Sequence, residues 1–285
     1  MFGFLNIYKP KGKTSHDVVA ILRRITKIKQ IGHTGTLDPF AEGVLPICIG
    51  KATRLIEYLN DDKAYAGTVQ LGKSTTTYDI EGEDVNVSDK IVTIEDIQNS
   101  LNGFQGDIEQ MPPIYSAIKV KGKKLYEYAR AGEDVKIEPR KVSIKEIKIL
   151  NFDKENRRLE LYIECSKGTY IRSLANDLGE KLGTYGHLIK LVRVKAGDFK
   201  IENSLNLEEL ENIEQVRQNI IYPLEKLNYP KYELNENELE KVSHGMSLKF
   251  NTNLQNGLII LVHKDELVAI GEVIEKEIKC SKVFI

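Results

Sequence analysis

Gly32-His33-Thr34-Gly35-Thr36-Leu37-Asp38-Pro39-Phe40-Ala41-Glu42-Gly43-Val44 is the stretch on which the reading of this chain turns. It crowds three glycines, one proline, one histidine and two acids into a segment with neither helical nor strand period. Glycine tolerates positive φ and the close approach of another backbone. Pro39 biases Asp38 away from the α region, into an extended or turn conformation. The Asp38 carboxylate is therefore expected on a constrained loop rather than on a solvated helix face. A basic amphipathic segment precedes the loop, and the apolar run Val44-Leu45-Pro46-Ile47-Cys48-Ile49 follows it. An acid-bearing loop held between rigid elements suits an active site, although Asp-Pro alone is a common turn initiator.

The whole block resembles motif II of the TruB family of tRNA pseudouridine synthases, in which the Asp of G-H-T-G-x-L-D-P is the catalytic residue. The match continues through Gly43-Val44-Leu45-Pro46-Ile47-Cys48-Ile49-Gly50-Lys51-Ala52-Thr53-Arg54. Lys9-Pro10-Lys11-Gly12-Lys13-Thr14-Ser15 ends like a phosphate-binding P-loop, but that motif needs a glycine at position 7, where Ile7 stands. The segment resembles the family's K-P-x-G-x-T-S motif instead. Gln110-Met111-Pro112-Pro113-Ile114-Tyr115-Ser116-Ala117-Ile118-Lys119 matches its P-P-x-Y-S-A-x-K segment, and Gly122 to Arg130 extends that match.

The resemblance assigns roles residue by residue. It makes Asp38 the catalytic nucleophile. Tyr65, in Lys63-Ala64-Tyr65, stacks on the target base and takes part in proton abstraction; without the resemblance, a strand tyrosine reads as a packing residue. Arg172, in Cys165-Ser166-Lys167-Gly168-Thr169-Tyr170-Ile171-Arg172, sits in the first turn of an expected helix. The dipole disfavours a cation there, and the resemblance pairs it with Asp38 through a charge-assisted bond. Tyr170 and Leu191 match positions that line the uridine pocket, and His33 matches one that inserts into the T-loop beside the everted base. His187 and His244 have no comparable context. The matching motifs span residues 3 to about 200.

Composition sets the outer bounds. A chain of 285 residues, 41% hydrophobic and 29% charged, reads as globular, with room for two domains or for one and an appendage. No apolar run approaches the roughly 18 residues that span a bilayer. The N-terminus lacks the basic and long apolar regions of a signal peptide, so a cytoplasmic location is expected. The three cysteines, Cys48, Cys165 and Cys280, are far apart and read as buried free thiols. No Cys/His spacing fits a zinc site.

The net charge of −1 conceals segregation. Residues 1–35 carry seven Lys/Arg against one acid, and residues 119–145 carry nine against four. Residues 74–110 carry one base against nine acids, and residues 201–240 carry three against ten. A charge run alone is ordinarily a solvated face, but basic segments set apart in this way are the footprint of a phosphate-binding surface.

Mixed elements without a βαβ rhythm argue for an α+β fold. Strands are expected at Phe4–Tyr8, Lys63–Leu71, Ile114–Val120, Val142–Leu150 and Leu159–Cys165. Helices are expected after a Ser15 cap, after a Thr93/Asp96 capping box, over Leu125–Ala131, from Ile171 to Leu182, and from Asn206 to Asn219. Pro223 and Pro230 suggest a boundary, giving a catalytic domain over 1–229 and a small β-rich unit over 230–285. In that unit one helix (Asn235–Ser243) is expected with strands at Gly257–Val262, Val268–Val273 and Lys279–Phe284. The resemblance implies a pseudouridine-synthase fold with a mixed, mostly antiparallel sheet, and a PUA-like RNA-binding C-terminal domain.

It further implies isomerisation of uridine 55 in the T-loop of tRNA, on a base flipped out of its stack. The basic segment 119–145 would clamp the RNA. No cofactor, metal, membrane or protein partner is implied, and the chain is expected to act as a monomer. Two other readings compete. One is a non-catalytic RNA-binding or tRNA-folding module of the same fold, against which an intact Asp38, Tyr65 and Arg172 argues. The other is a carboxylate-dependent hydrolase, which needs a second acid facing Asp38; Glu42 is the only other acid in the loop.

Overall fold

The computed structural model describes residues 1–249 and 254–285. The apolar run after the Asp38 loop forms strand β3 (Glu42–Ile49), buried along almost its whole length. It belongs to a ten-stranded sheet. The other members are β1 (Gly3–Lys9), β2 (Ile31–His33), β4 (Lys63–Leu71), β7 (Gly106–Gln110), β10 (Arg140–Asp153), β11 (Arg158–Cys165), β12 (Gly186–Ala196), β13 (Phe199–Lys200) and β14 (Leu205–Asn206). The order is β14-β1-β3-β12-β4-β11-β10-β7, with β2 added on β3 and β13 on β12. Only β1/β14 and β3/β12 run parallel, so the sheet is mixed and mostly antiparallel. Two small hairpins lie outside it, β5 (Lys73–Thr75) with β6 (Asp84–Val87), and β8 (Lys119–Val120) with β9 (Lys123–Lys124).

Helices cover the sheet in two patches. α1 (Ser15–Thr26) buries Val18, Val19 and Leu22 with Leu5, Ile7, Leu45 and Ile47. α2 (Ile94–Leu101) and α4 (Ile171–Leu182) pack with Val69, Leu159, Leu161, Ile163 and Leu188. The caps behave as local chemistry dictates. Thr93 and Asp96 form a reciprocal capping box at α2, and Gly183 closes α4 at φ 69°. α3 (Leu125–Ala131) follows β9 and stops at Gly132.

A second, five-stranded sheet has the order β15-β17-β18-β19-β16. Its strands are β15 (Lys231–Glu233), β16 (Leu248–Lys249), β17 (Gly257–His263), β18 (Glu266–Ile274) and β19 (Glu277–Val283), with α6 (Glu236–Ser243) alongside. This sheet has an apolar cluster of its own around Val242, Leu261 and Ile278. It also shares one with the large sheet, in which Ile260, Val262, Ile270 and Phe284 pack with Phe4, Val44, Cys48 and Leu55.

Several expectations need correction. Thr14, not Ser15, caps α1: its hydroxyl accepts from Asp17 N at 3.0 Å, and the Asp17 carboxylate accepts from Thr14 N at 2.8 Å. The expected strand Ile114–Val120 shrinks to β8, because Pro112 and Pro113 offer no N–H and the Tyr115 and Ser116 carbonyls are taken by Arg172 and Tyr126. The expected helix Asn206–Asn219 reduces to α5 (Ile213–Gln218), because Leu205 first pairs in register with Ile7 and Leu207 and Leu210 turn into the core. The long strand β12 is not expected from sequence, since Lys190, Arg193 and Lys195 interrupt its apolar pattern. Cys48 and Cys165 are buried, whereas Cys280 is only half-buried on β19, which has just the two-residue β16 on its outer side.

Candidate active site

The Asp38 loop is held by side chains that look like surface residues in the sequence. Lys9 is wholly buried at the end of β1, and its Nζ donates to the carbonyls of Lys13 (2.6 Å), Pro10 (3.0 Å) and Pro39 (3.4 Å). Burial holds its pKa down at about 8, against the opposing pull of Asp38 and Glu42. Ser15 takes the other side of the loop: its Oγ accepts from Leu37 N at 2.8 Å. From β12, the wholly buried Arg193 donates Nε to Val44 O (2.7 Å) and Nη2 to Gly35 O (3.0 Å). Gly43 makes this approach possible, since a Cβ there would stand 2.4 Å from the Arg193 carbonyl oxygen, at φ +105°. The loop is therefore pinned at both ends by cations bonded to its own carbonyls.

Asp38 points into a cavity of about 290 Å³ between the loop, β4, β12 and the first turn of α4. Arg172, on that first turn, lies 2.9 Å from Asp38 Oδ2 through Nε, and its Nη2 donates to Oδ1 at a long 3.4 Å. The same guanidinium holds Asp79 Oδ2 at 3.2 Å, Thr77 O at 3.0 Å and Tyr115 O at 2.9 Å. It thus ties three loops together. Exposure separates the two acids: the Asp38 side chain is 36% exposed and Asp79 only 4%. Asp38 can touch a bound molecule; Asp79, which also accepts from Thr77 Oγ1 and Glu81 N, is sealed behind the arginine. Burial raises the Asp38 pKa, Arg172 opposes it, and Asp79 adds to it.

Tyr65, Tyr170 and Leu191 line the same cavity. Tyr65 is 7% exposed, and burial pushes its phenol up to about 12 while the neighbouring Arg193 guanidinium opposes that rise. Leu191 stands opposite Gly67 in the β4/β12 register. Tyr170 precedes α4, and the buried Gln110 clamps its backbone, accepting from Tyr170 N at 2.8 Å and donating to Tyr170 O at 3.0 Å. His33 stands apart from these residues, on β2 opposite Ile47, and is not in the cavity wall. Its Nδ1 is buried without a hydrogen-bond partner among the described residues, and burial holds the ring's pKa down. Glu42 adds to the rise that burial gives the Tyr8 phenol, which reaches about 12, and does not line the cavity either. Neither Glu42 nor Asp79 faces Asp38 across it, which removes the geometric basis of a two-carboxylate hydrolase.

Residues 23–171 match the model of the TruB family pseudouridylate synthase N-terminal domain, and residues 172–227 match the tRNA pseudouridylate synthase B C-terminal domain. The chain belongs to the TruB family of pseudouridylate synthases. Among curated members of the family, it is 43% identical to tRNA pseudouridine synthase B of Caldanaerobacter subterraneus subsp. tengcongensis, over 99% of both chains. It is 40% identical to the Clostridium tetani protein of the same name over the full length of both. A solved Cbf5-Nop10-Gar1 complex contains a chain that superposes with TM-score 0.73 at 28% identity, covering 100% of this chain and 85% of that one. An H/ACA RNP bound to a substrate RNA containing 2′-deoxyuridine matches with the same TM-score at 26% identity, with the same coverage.

In this TruB-family chain, sequence reading gives no role in the site to Asp79, Lys9, Arg193, Ser15 or Gln110, although Lys9, Ser15 and Gln110 lie in matched motifs. Asp79 is hidden as one of nine acids in residues 74–110. For Arg193 the available signal is a lone arginine inside an otherwise apolar Leu191-Val192-Arg193-Val194 run, where a buried charge needs dedicated partners.

Proposed function

We propose that this chain converts uridine 55 in the T-loop of tRNA to pseudouridine. The relatives' name, tRNA pseudouridine synthase B, supports tRNA as substrate. The observation that carries the assignment is the Asp38 carboxylate, opening into a nucleobase-sized cavity while Arg172 holds it from behind. In this isomerisation the N1–C1′ bond breaks, the uracil turns, and a C5–C1′ bond forms; C5 loses a proton and N1 gains one. Atoms balance without an oxidant, a reductant or water.

Asp38 acts as nucleophile, and Arg172 orients it and keeps it ionised against the pull of burial. Tyr65 stacks on the base, and its hydroxyl serves proton transfer. Tyr170 and Leu191 hold the base in the cavity. Access to Asp38 requires the uridine to leave its stack, and His33, outside the cavity wall, takes a place in the T-loop beside it. The basic segment 119–145 grips phosphates. Residues 1–229 form the catalytic domain, and 230–285, with their separate sheet, a PUA-like RNA-binding domain. The enzyme works as a cytoplasmic monomer; no helix among the described residues is long and apolar enough to cross a membrane.

The rival reading, a non-catalytic RNA-binding module of the same fold, gains nothing from a pinned, half-open carboxylate. Incubation with an unmodified tRNA transcript, followed by pseudouridine mapping, separates the two. The expected product is a single pseudouridine at position 55 that Asp38→Ala abolishes. No product, modification elsewhere, or Asp38→Ala activity within about tenfold of wild type overturns the assignment.

A further inference from the structure

Lys63 opens β4 two residues before Tyr65, so both side chains leave the strand on one face. Both line the Asp38 cavity. The lysine stem lies against Gly35, where a Cβ would come within 3.3 Å of Lys63 Cε. Its Nζ donates a hydrogen bond to the Asp61 carbonyl at 2.6 Å, which leaves two N–H groups for other acceptors. No carboxylate stands within ion-pair distance of Lys63 among the described residues. The Asp61 carboxylate is engaged by Lys167 at 3.3 Å, and that of Asp62 by Lys145. Burial, and the like charge of Arg193, hold the Lys63 pKa below the usual lysine value. A half-buried ammonium without a counter-ion is costly where it stands. Packing alone would be served better by an apolar side chain of the same length.

We propose that Lys63 forms a phosphate subsite at the cavity mouth, binding the phosphodiester next to the extruded nucleotide. The inference rests on the reading of the cavity as a nucleotide site. Two residues of strand place Lys63 about 6.6 Å from Tyr65 along β4, a distance of the order of that from a nucleobase to its own phosphate. With the base against Tyr65, the backbone of the same nucleotide passes the ammonium. A phosphate supplies the missing counter-ion and accepts the two free N–H groups.

The test is a chemical double-mutant cycle. Wild type, Lys63→Met and Lys63→Arg are titrated with the tRNA transcript and with transcripts carrying one neutral methylphosphonate, either 5′ or 3′ to the target uridine. Lys63→Met is expected to weaken binding about tenfold and to lower the slope of log K against log salt by about 0.7. One methylphosphonate should weaken wild type by a similar factor and have no further effect in Lys63→Met. Lys63→Arg should keep the wild-type slope. The melting temperature of Lys63→Met should equal or exceed that of wild type, because a desolvated cation is removed. An unchanged salt slope, or equal methylphosphonate losses in wild type and Lys63→Met, overturns the subsite. If Lys63→Met fails to fold, the methylphosphonate scan on wild type decides: no loss at either neighbouring phosphate overturns it. Failure of the underlying reading looks different, since wild type would then make no pseudouridine at all.

Discussion

Arg172→Met removes the one cation that two carboxylates share. Asp79 is 4% exposed and would keep Thr77 Oγ1 and Glu81 N as its side-chain partners among the described residues, while Asp38 would lose its contact at 2.9 Å. Leaving a buried charge unpaired costs about 3–5 kcal/mol. With an unfolding entropy of about 2.1 cal/mol/K per residue, the 285-residue chain should melt about 5–8 °C lower at neutral pH. The loss must depend on pH. Burial already raises Asp38 and Arg172 opposes that rise, so without Arg172 the Asp38 carboxyl titrates further above its unfolded value of about 3.9. The folded variant then binds more protons than its unfolded chain, so its stability rises as pH falls through the raised value. The gap to wild type is widest at pH 7–8 and narrows towards pH 4. Adding Asp79→Asn should recover most of the lost stability, because the orphaned charge goes, but should not recover turnover, because Asp38 still lacks its orienting group. Thermal melts across that pH range and single-turnover pseudouridine formation read both effects. A variant within about 0.5 kcal/mol of wild type, or a deficit independent of pH, refutes the claim that this guanidinium neutralises both acids.

Three further outcomes follow from the same geometry. Asp38→Asn should abolish turnover yet retain RNA affinity. Because burial raises the Asp38 pKa in the folded state, wild type loses stability as pH climbs through that value; the neutral variant should melt higher at pH 7 and converge with wild type below about pH 4, as melts at both pH values will show. Tyr65→Phe should keep most RNA affinity, since stacking area is preserved, and lose roughly 10²–10⁴-fold in single-turnover rate; a wild-type rate would confine the residue to stacking. Replacing Lys119, Lys121, Lys123 and Lys124 by Ala should weaken tRNA binding and flatten its salt dependence. The share of Lys119 and Lys121 should be larger, because Lys123 is already paired with Glu133 at 2.8 Å and Lys124 lies over the Tyr126 ring; individual variants measured at several salt concentrations resolve the shares.

Local chemistry was legible where neighbours in the chain supply the partners. The Thr93/Asp96 capping box, the stop at Gly183, and the strands Phe4–Tyr8 and Lys63–Leu71 need only residues a few positions apart, and the structure has all of them. At α1 the expectation missed by one residue: Thr14 takes the cap, and the Ser15 hydroxyl is left to hold Leu37 in the loop. β12 is not legible in the sequence because its three basic residues look like solvent-facing positions, although Arg193 is wholly buried among backbone carbonyls.

By itself the sequence determined the loop with its constrained Asp38, the family motifs in order, the alternation of the outer strands and the segregation of charge. These follow from backbone restrictions at Gly and Pro, from side-chain period and from composition, all properties of short stretches. Tertiary structure alone decided which charges meet. Asp38 and Arg172 are 134 residues apart and Thr77 and Arg172 are 95 apart, yet one guanidinium joins them. Lys9 and Arg193 have the same composition as any surface lysine or arginine, and only strand order places them under the loop with carbonyls to bond. A buried charge is tolerated only where its partners converge, and that convergence depends on the whole sheet, which no segment of the chain contains.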